Sequence, residues 1–346
     1  MKRRLSKLLL LAVIVIILSS CETIGYYGQG MAGHARLMWS RQPVIEVVTT
    51  AQPDLQQRLQ TAIAIRQFAI TDLGLPDNKS YSTYVELDRD AVVWNVVATA
   101  PFSLQAKQWC YPVIGCASYR GYFKQVNAQG YAEKLQAQGL DVAVVGATAY
   151  STLGWFSDPL TSLMLRSDDA GIAELLFHEL AHQQLYIKGN SRFNEAFATT
   201  VGEQGTVHWL QVTAQGELLQ RYQRRLVVRA QFLRLLNQTR EQLQTLYQNA
   251  EADEYKAEQK QQLFLELRQS YEELKQQQWQ GIGWYDGWFK QPVNNARLVA
   301  IGTYRDLVPA FTKLLAACGQ DFERFYQAAP RLIETATLHK CSDQLP

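Results

Sequence analysis

The stretch Phe177-His178-Glu179-Leu180-Ala181-His182-Gln183, followed after a short turn by Phe193-Asn194-Glu195-Ala196-Phe197-Ala198-Thr199, decides how this chain is read. The first segment sits in a run from Ala170 to Ile187. It is introduced by Ser167, Asp168 and Asp169, each able to cap a helix, and closed by Lys188-Gly189. Residues four apart share a helix face, so His178 and His182 project together. Two imidazoles at that spacing can bind one tetrahedral Zn²⁺, with Glu179 beside them to take a proton from metal-activated water. Gly189-Asn190-Ser191 reads as a turn into a second helix, which returns Glu195 near its start. A carboxylate there completes a His₂Glu set and leaves the fourth position open, as catalytic zinc requires. Glu203 competes for that role, but eight residues further along the helix it points elsewhere. Glu174, His34, His208 and His339 lack comparable context and read as surface or packing residues.

Working outward, Pro53 to Leu73 reads as an amphipathic helix, with Leu55, Leu59, Ile63 and Ile65 among its apolar positions. After the turn Leu75-Pro76-Asp77-Asn78 come strand-like segments at Tyr81–Leu87, Ala91–Thr99 and Tyr119–Phe123, a helical stretch at Tyr131–Gly139, and another strand at Val142–Val145. The mixture predicts an α+β domain. Beyond Gly216, apolar residues recur at helical spacing over Glu217–Gln248 and Ala252–Gln278. These predict a long helical hairpin, with a further helical stretch around Asn294–Ala317. The expected organisation is a leader (1–20), an α+β zinc-binding catalytic region (21–215), the hairpin (216–280) and a helical return to the catalytic region (281–346).

The chain has 346 residues, 47% of them apolar and 19% charged, which excludes disorder and collagen-like repeats. Lys2, Arg3, Arg4 and Lys7 precede eleven apolar residues, Leu8 to Leu18, a signal-peptide pattern too short to span a bilayer as a free helix. Leu18-Ser19-Ser20-Cys21 resembles a bacterial lipoprotein cleavage box, which implies a lipid on Cys21. Glu22 then points to the outer membrane, facing the periplasm. Without the leader's four basic residues, 30 basic residues face 32 acidic ones, and no charge excess points to nucleic acid. Cys110, Cys116, Cys318 and Cys341 remain, an even number for an oxidising compartment. Short separations favour Cys110–Cys116 and Cys318–Cys341 among three possible pairings.

His-Glu-Leu-Ala-His-Gln followed by Asn-Glu-Ala-Phe-Ala resembles the gluzincin metallopeptidases of the aminopeptidase N type. More specifically, the chain resembles a bacterial lipoprotein family of predicted aminopeptidases, through Gly115–Phe123, Ala149–Pro159 and Asn294-Asn295-Ala296. The resemblance implies a zincin-like α+β catalytic domain, one Zn²⁺ per chain held by His178, His182 and Glu195, Glu179 as general base, and a peptide substrate. Relatives add a tyrosine that stabilises the oxyanion; Tyr304 is the candidate here, with Tyr119, Arg120 and Tyr150 as candidate groove residues. Two departures stand out. The interval from His182 to Glu195 is shorter than in those relatives. Their Gly-Ala-Met-Glu-Asn, whose Glu binds the substrate's amine, is replaced by Gly146-Ala147-Thr148-Ala149-Tyr150, leaving Asp158 or Glu203 as substitute acids.

The rival readings are a zinc endopeptidase with the same catalytic residues, and a non-catalytic lipoprotein whose hairpin binds a protein partner. Glu179 argues against the second, because a structural metal site needs no general base.

Overall fold

Helix α1, residues 25–39, opens the part of the chain described by this computed structural model, which covers residues 25–111, 115–149, 152, 156–301, 305–333 and 341. These residues read in sequence as a lead onto the fold. Four glycines lower their helix propensity, but tertiary packing decides. Leu37 is buried against Val85, Val92, Val93 and Leu163, and Gly33 lies under the Phe123 ring, where a Cβ would collide. Cys21 falls outside the described residues. Among them, no helix is long and apolar enough to cross a membrane.

Strand β1 (Gln42–Pro43), helix α2 (Val44–Thr50) and helix α3 (Pro53–Thr71) follow. Two three-stranded sheets come next. In one, β2 (Thr83–Val85) pairs antiparallel with β1 and parallel with β8 (Leu160–Thr161). In the other, β3 (Val93–Thr99) lies between β6 (Arg120–Tyr122) and β7 (Asp141–Ala147), both antiparallel to it. A hairpin of β4 (Trp109–Tyr111) and β5 (Gly115–Ala117) is closed by the Cys110–Cys116 disulfide. Cys318 pairs with Cys341. Helix α4 (Gln125–Gln136) begins six residues before the sequence expectation; its Ala128, Ala132 and Leu135 pack on Val96, Ala98 and Val142.

The main core lies between helices. It joins α3, α5 (Asp169–Gln184), α6 (Ser191–Val212), α11 (Val308–Ala317) and α12 (Phe322–Ala328). The hairpin forms as α7 (Gly216–Gln248) and α8 (Asp253–Gln278). Val228, Phe232, Leu236 and Leu243 of α7 meet Phe264, Leu267 and Tyr271 of α8, with Trp279 and, on the short helix α9 (Asp286–Phe289), Phe289 at the open end. The hairpin is fastened near its tip as well. Lys260, buried on α8, bonds Asp141 Oδ2 at 2.6 Å and the Pro101 carbonyl at 2.9 Å, and the Tyr247 hydroxyl donates to Asn295 Oδ1 at 2.8 Å.

The stretch expected around Asn294–Ala317 is not one helix. It divides into α10 (Asn295–Ala300) and α11, and Pro309 in the first turn of α11 accounts for a new start, because proline tolerates a helix beginning but not its interior. The architecture is therefore α+β with small sheets and a helical majority.

Candidate metal centre

Asp168 caps α5, accepting from the Gly171 amide at 2.8 Å. The helix ends at Gln184, earlier than the run to Ile187 suggests, because Leu185 turns extended. Asn194 explains this. Its side chain accepts from the Ile187 amide and donates to the Ile187 carbonyl, both at 2.8 Å, so Ile187 is held by a buried amide, while the Leu185 amide makes the last helical bond, to Ala181. Gly189, at φ +81°, supplies the left-handed turn. Asn190 then caps α6 by accepting from Phe193, and Glu195 returns towards α5. The two helices meet closely at Gly202, where a Cβ would press on the Glu174 carbonyl and the His178 side chain.

The ligand atoms of His178, His182 and Glu195 lie within 4.8 Å of one another. The two Nε2 atoms are 3.1 Å apart; Glu195 Oε2 is 3.5 Å from that of His178, and Oε1 is 3.7 Å from that of His182. Donors on a tetrahedral zinc at about 2.0–2.1 Å stand about 3.3 Å apart, so the donor set and its spacing fit such an ion. His182 is 6% exposed and Glu195 43%, so the centre opens on the Glu195 side. Burial pushes the His182 imidazole down to about 4, aided by the neighbouring His178, and so favours the neutral form a metal needs. His178 goes the other way. Burial disfavours its charge, but the Glu195 hydrogen bond and the carboxylates of Glu179, Glu195 and Glu174 together raise it. Nδ1 of His182 is buried without a hydrogen-bond partner among the described residues, so packing orients that ring.

Behind the centre lies a charge network that sequence reading missed. Glu174, one turn before His178, receives both terminal nitrogens of Arg229 from α7, at 2.5 and 3.1 Å, and the Tyr222 hydroxyl at 3.1 Å. Arg229 also reaches Glu203 Oε1 at 3.0 Å, and Arg305 bonds the same oxygen. Glu174 is thus no surface residue, and Glu203 is committed to two guanidinium groups, away from the metal cluster. Asp158, the other substitute acid, is fully buried and accepts from the Thr152 amide and hydroxyl at 2.9 and 2.8 Å. Ala149 packs against the main core.

The remaining candidates fall in different places. Tyr304 and Tyr150 lie outside the described residues, as does His339. Tyr119 is exposed, while Arg120 is stacked over the rings of Tyr26 and Tyr131 at 4.1 and 4.5 Å, in the aromatic cluster beside α4. His208 packs between Phe68 and Phe322, and His34 against Phe156.

Tyr81 is a residue that sequence gave no reason to choose. It is 4% exposed, holds φ at +61°, and its hydroxyl has no partner among the described residues. Burial raises its pKa, and the charges of Glu179 and Asp158 raise it further.

His178, His182 and Glu195 form a group of two imidazoles and a carboxylate that could hold a metal ion, with Glu179 next to His178 in the chain. A family model described as "Putative aminopeptidase" matches residues 25–342, and the chain belongs to that family. No curated protein and no solved structure matches it.

Proposed function

We propose that this protein is a zinc-dependent metallopeptidase of the gluzincin kind with a zincin-like catalytic fold, acting as an aminopeptidase on short periplasmic peptides. The observation that carries this reading is the convergence of His178, His182 and Glu195 next to Glu179, and membership of the family supports it. His178, His182 and Glu195 would hold one zinc ion, which when bound supplies Lewis acidity toward the scissile carbonyl and the attacking water. Glu179 accepts a proton from that water and delivers it to the leaving amine. Asn194 and Gly202 keep α5 and α6 in register so that the three ligand side chains converge. Tyr304 remains our candidate for oxyanion stabilisation, and Tyr119, Arg120 and Tyr150 for substrate contacts. The lipoprotein box supports anchoring through Cys21 at the outer membrane, and the hairpin offers a face for a protein partner.

The test uses the full chain purified in detergent. Metal analysis should find one zinc per chain, lost in His182→Ala and kept in Glu179→Gln. Peptides with free and acetylated N-termini should be trimmed stepwise only when free, and Glu179→Gln should abolish trimming. Internal cuts in both sets would replace this reading with an endopeptidase; zinc without any hydrolysis would leave a scaffold.

A further inference from the structure

A cavity of about 550 Å³ opens between the end of α1 and the segments that precede β2 and β8. Its walls include His34, Met38 and Trp39 of α1, with Arg41, Asn78 and Phe156. Its position follows from contacts on either side. Asn78 donates to the Gln183 side chain at 2.6 Å, Gln183 in turn donates to the Ser80 hydroxyl at 3.3 Å, and Gln183 directly follows His182. The two lining segments, 78–80 and 156–157, run into the bond from the Tyr81 amide to the Asp158 carbonyl, at 2.6 Å. The cavity therefore borders the C-terminal end of α5 through Asn78 and Ser80, which bond the residue next to His182.

Its chemistry is one-sided. Trp39, Phe156, Met38 and His34 give an aromatic and apolar wall, and Trp39 is 85% exposed. Arg41 is the one lining side chain among the described residues with a permanent charge. It is exposed, it bonds the Ser157 carbonyl at 3.3 Å and Met38 Sδ at 3.7 Å, and it has no carboxylate partner among the described residues. The acids nearby are otherwise engaged: Asp158 by Thr152, and Asp77 by Arg66 at 3.4 Å. A site built for a peptide's ammonium needs a carboxylate, whereas a guanidinium is matched to one by charge and by its two-pronged donors.

We infer that this cavity receives the C-terminal end of a short peptide substrate, with Arg41 binding its terminal carboxylate and Trp39 and Phe156 packing on an apolar or aromatic side chain. The inference rests on the peptidase reading and refines it. A substrate held by its far end presents its N-terminal bond to the metal cluster without a dedicated ammonium site, which accounts for Ala149 at the position where relatives of the aminopeptidase N type carry glutamate. It also makes the enzyme selective for short chains, because the carboxylate must reach Arg41 while the first peptide bond reaches Glu179.

The test compares Ala-Ala-Phe with Ala-Ala-Phe-amide on the full chain in detergent. The free acid should be hydrolysed with a kcat/KM ten- to a hundredfold above the amide, the range of a charge-assisted hydrogen bond. In Arg41→Gln the ratio should collapse towards one, and Arg41→Lys should restore part of it. In parallel, binding of both peptides to the Glu179→Gln protein is followed by tryptophan fluorescence, with Trp39→Phe removing the signal. If no peptide is cleaved by any form yet the free acid still binds tighter than the amide and depends on Arg41, the peptidase reading fails and the site stands. Equal cleavage and equal binding of acid and amide, or an acid preference that survives Arg41→Gln, overturns the proposal while leaving hydrolysis intact.

Discussion

Arg229 of α7 grips Glu174 of α5 with both of its terminal nitrogens, one helical turn from His178. Both side chains are about four-fifths buried, so the pair is held in low dielectric where a lone partner is costly. Arg229→Met should cost about 3 kcal/mol of stability, because it leaves two carboxylates facing each other across α5 and α6. Glu174→Gln combined with Arg229→Gln should cost less than the sum of the single changes, measured as a double-mutant cycle in urea unfolding. Additive effects would mean that the pair is not coupled.

The same pair sets an acid limit on stability. Burial alone would raise Glu174, but the hydrogen bond and charge of Arg229 outweigh it and hold the carboxyl below its ordinary 4.5. A depressed carboxyl contributes its full stabilisation above the unfolded value and loses it as pH falls through the folded one. Thermal unfolding midpoints should therefore fall from about pH 4.5 downward, and the fall should be shallower in Glu174→Gln than in the parent. Identical acid slopes in the two proteins would assign the loss to other carboxylates.

Asn194 is expected to matter more for metal than its distance from the chemistry suggests. Asn194→Ala strips the Ile187 amide and carbonyl of their partner, at about 1–3 kcal/mol, and frees the turn that aims Glu195. Zinc affinity, measured by competition with a chromogenic chelator, should drop about tenfold or more, in line with the loss of a supporting residue around a metal site. Unchanged affinity would show that α6 positions Glu195 without the clamp.

Tyr81→Phe removes a buried hydroxyl that has no partner among the described residues. Removing an unsatisfied polar atom while keeping the ring should leave stability unchanged or raise it by about 1 kcal/mol, read from denaturant midpoints. A loss of similar size would mean that the hydroxyl is satisfied in solution.

The elements that local pattern controls were readable from sequence. A cap among Ser167, Asp168 and Asp169, the shared face of His178 and His182, and the return of Glu195 all follow from spacing along one helix or across one turn. The hairpin follows from a repeat carried over more than fifty residues. The rest depends on partners far away in the chain. Nothing near Glu174 announces Arg229, fifty-five residues on, and nothing near Asn78 announces Gln183. Helix α1 was obscured by glycines, one of which is there because Phe123 sits on it, and the break between α10 and α11 was hidden by apolar residues on either side of it.

The hairpin's two fastenings have a mechanical consequence. Near its base Arg229 joins it to α5 and α6, and near its tip Lys260 and Tyr247 join it to β7 and α10. It acts as a strut bolted between α5 and α6 at one end and β7 and α10 at the other, and swinging these apart would require breaking charged bonds at both bolts together.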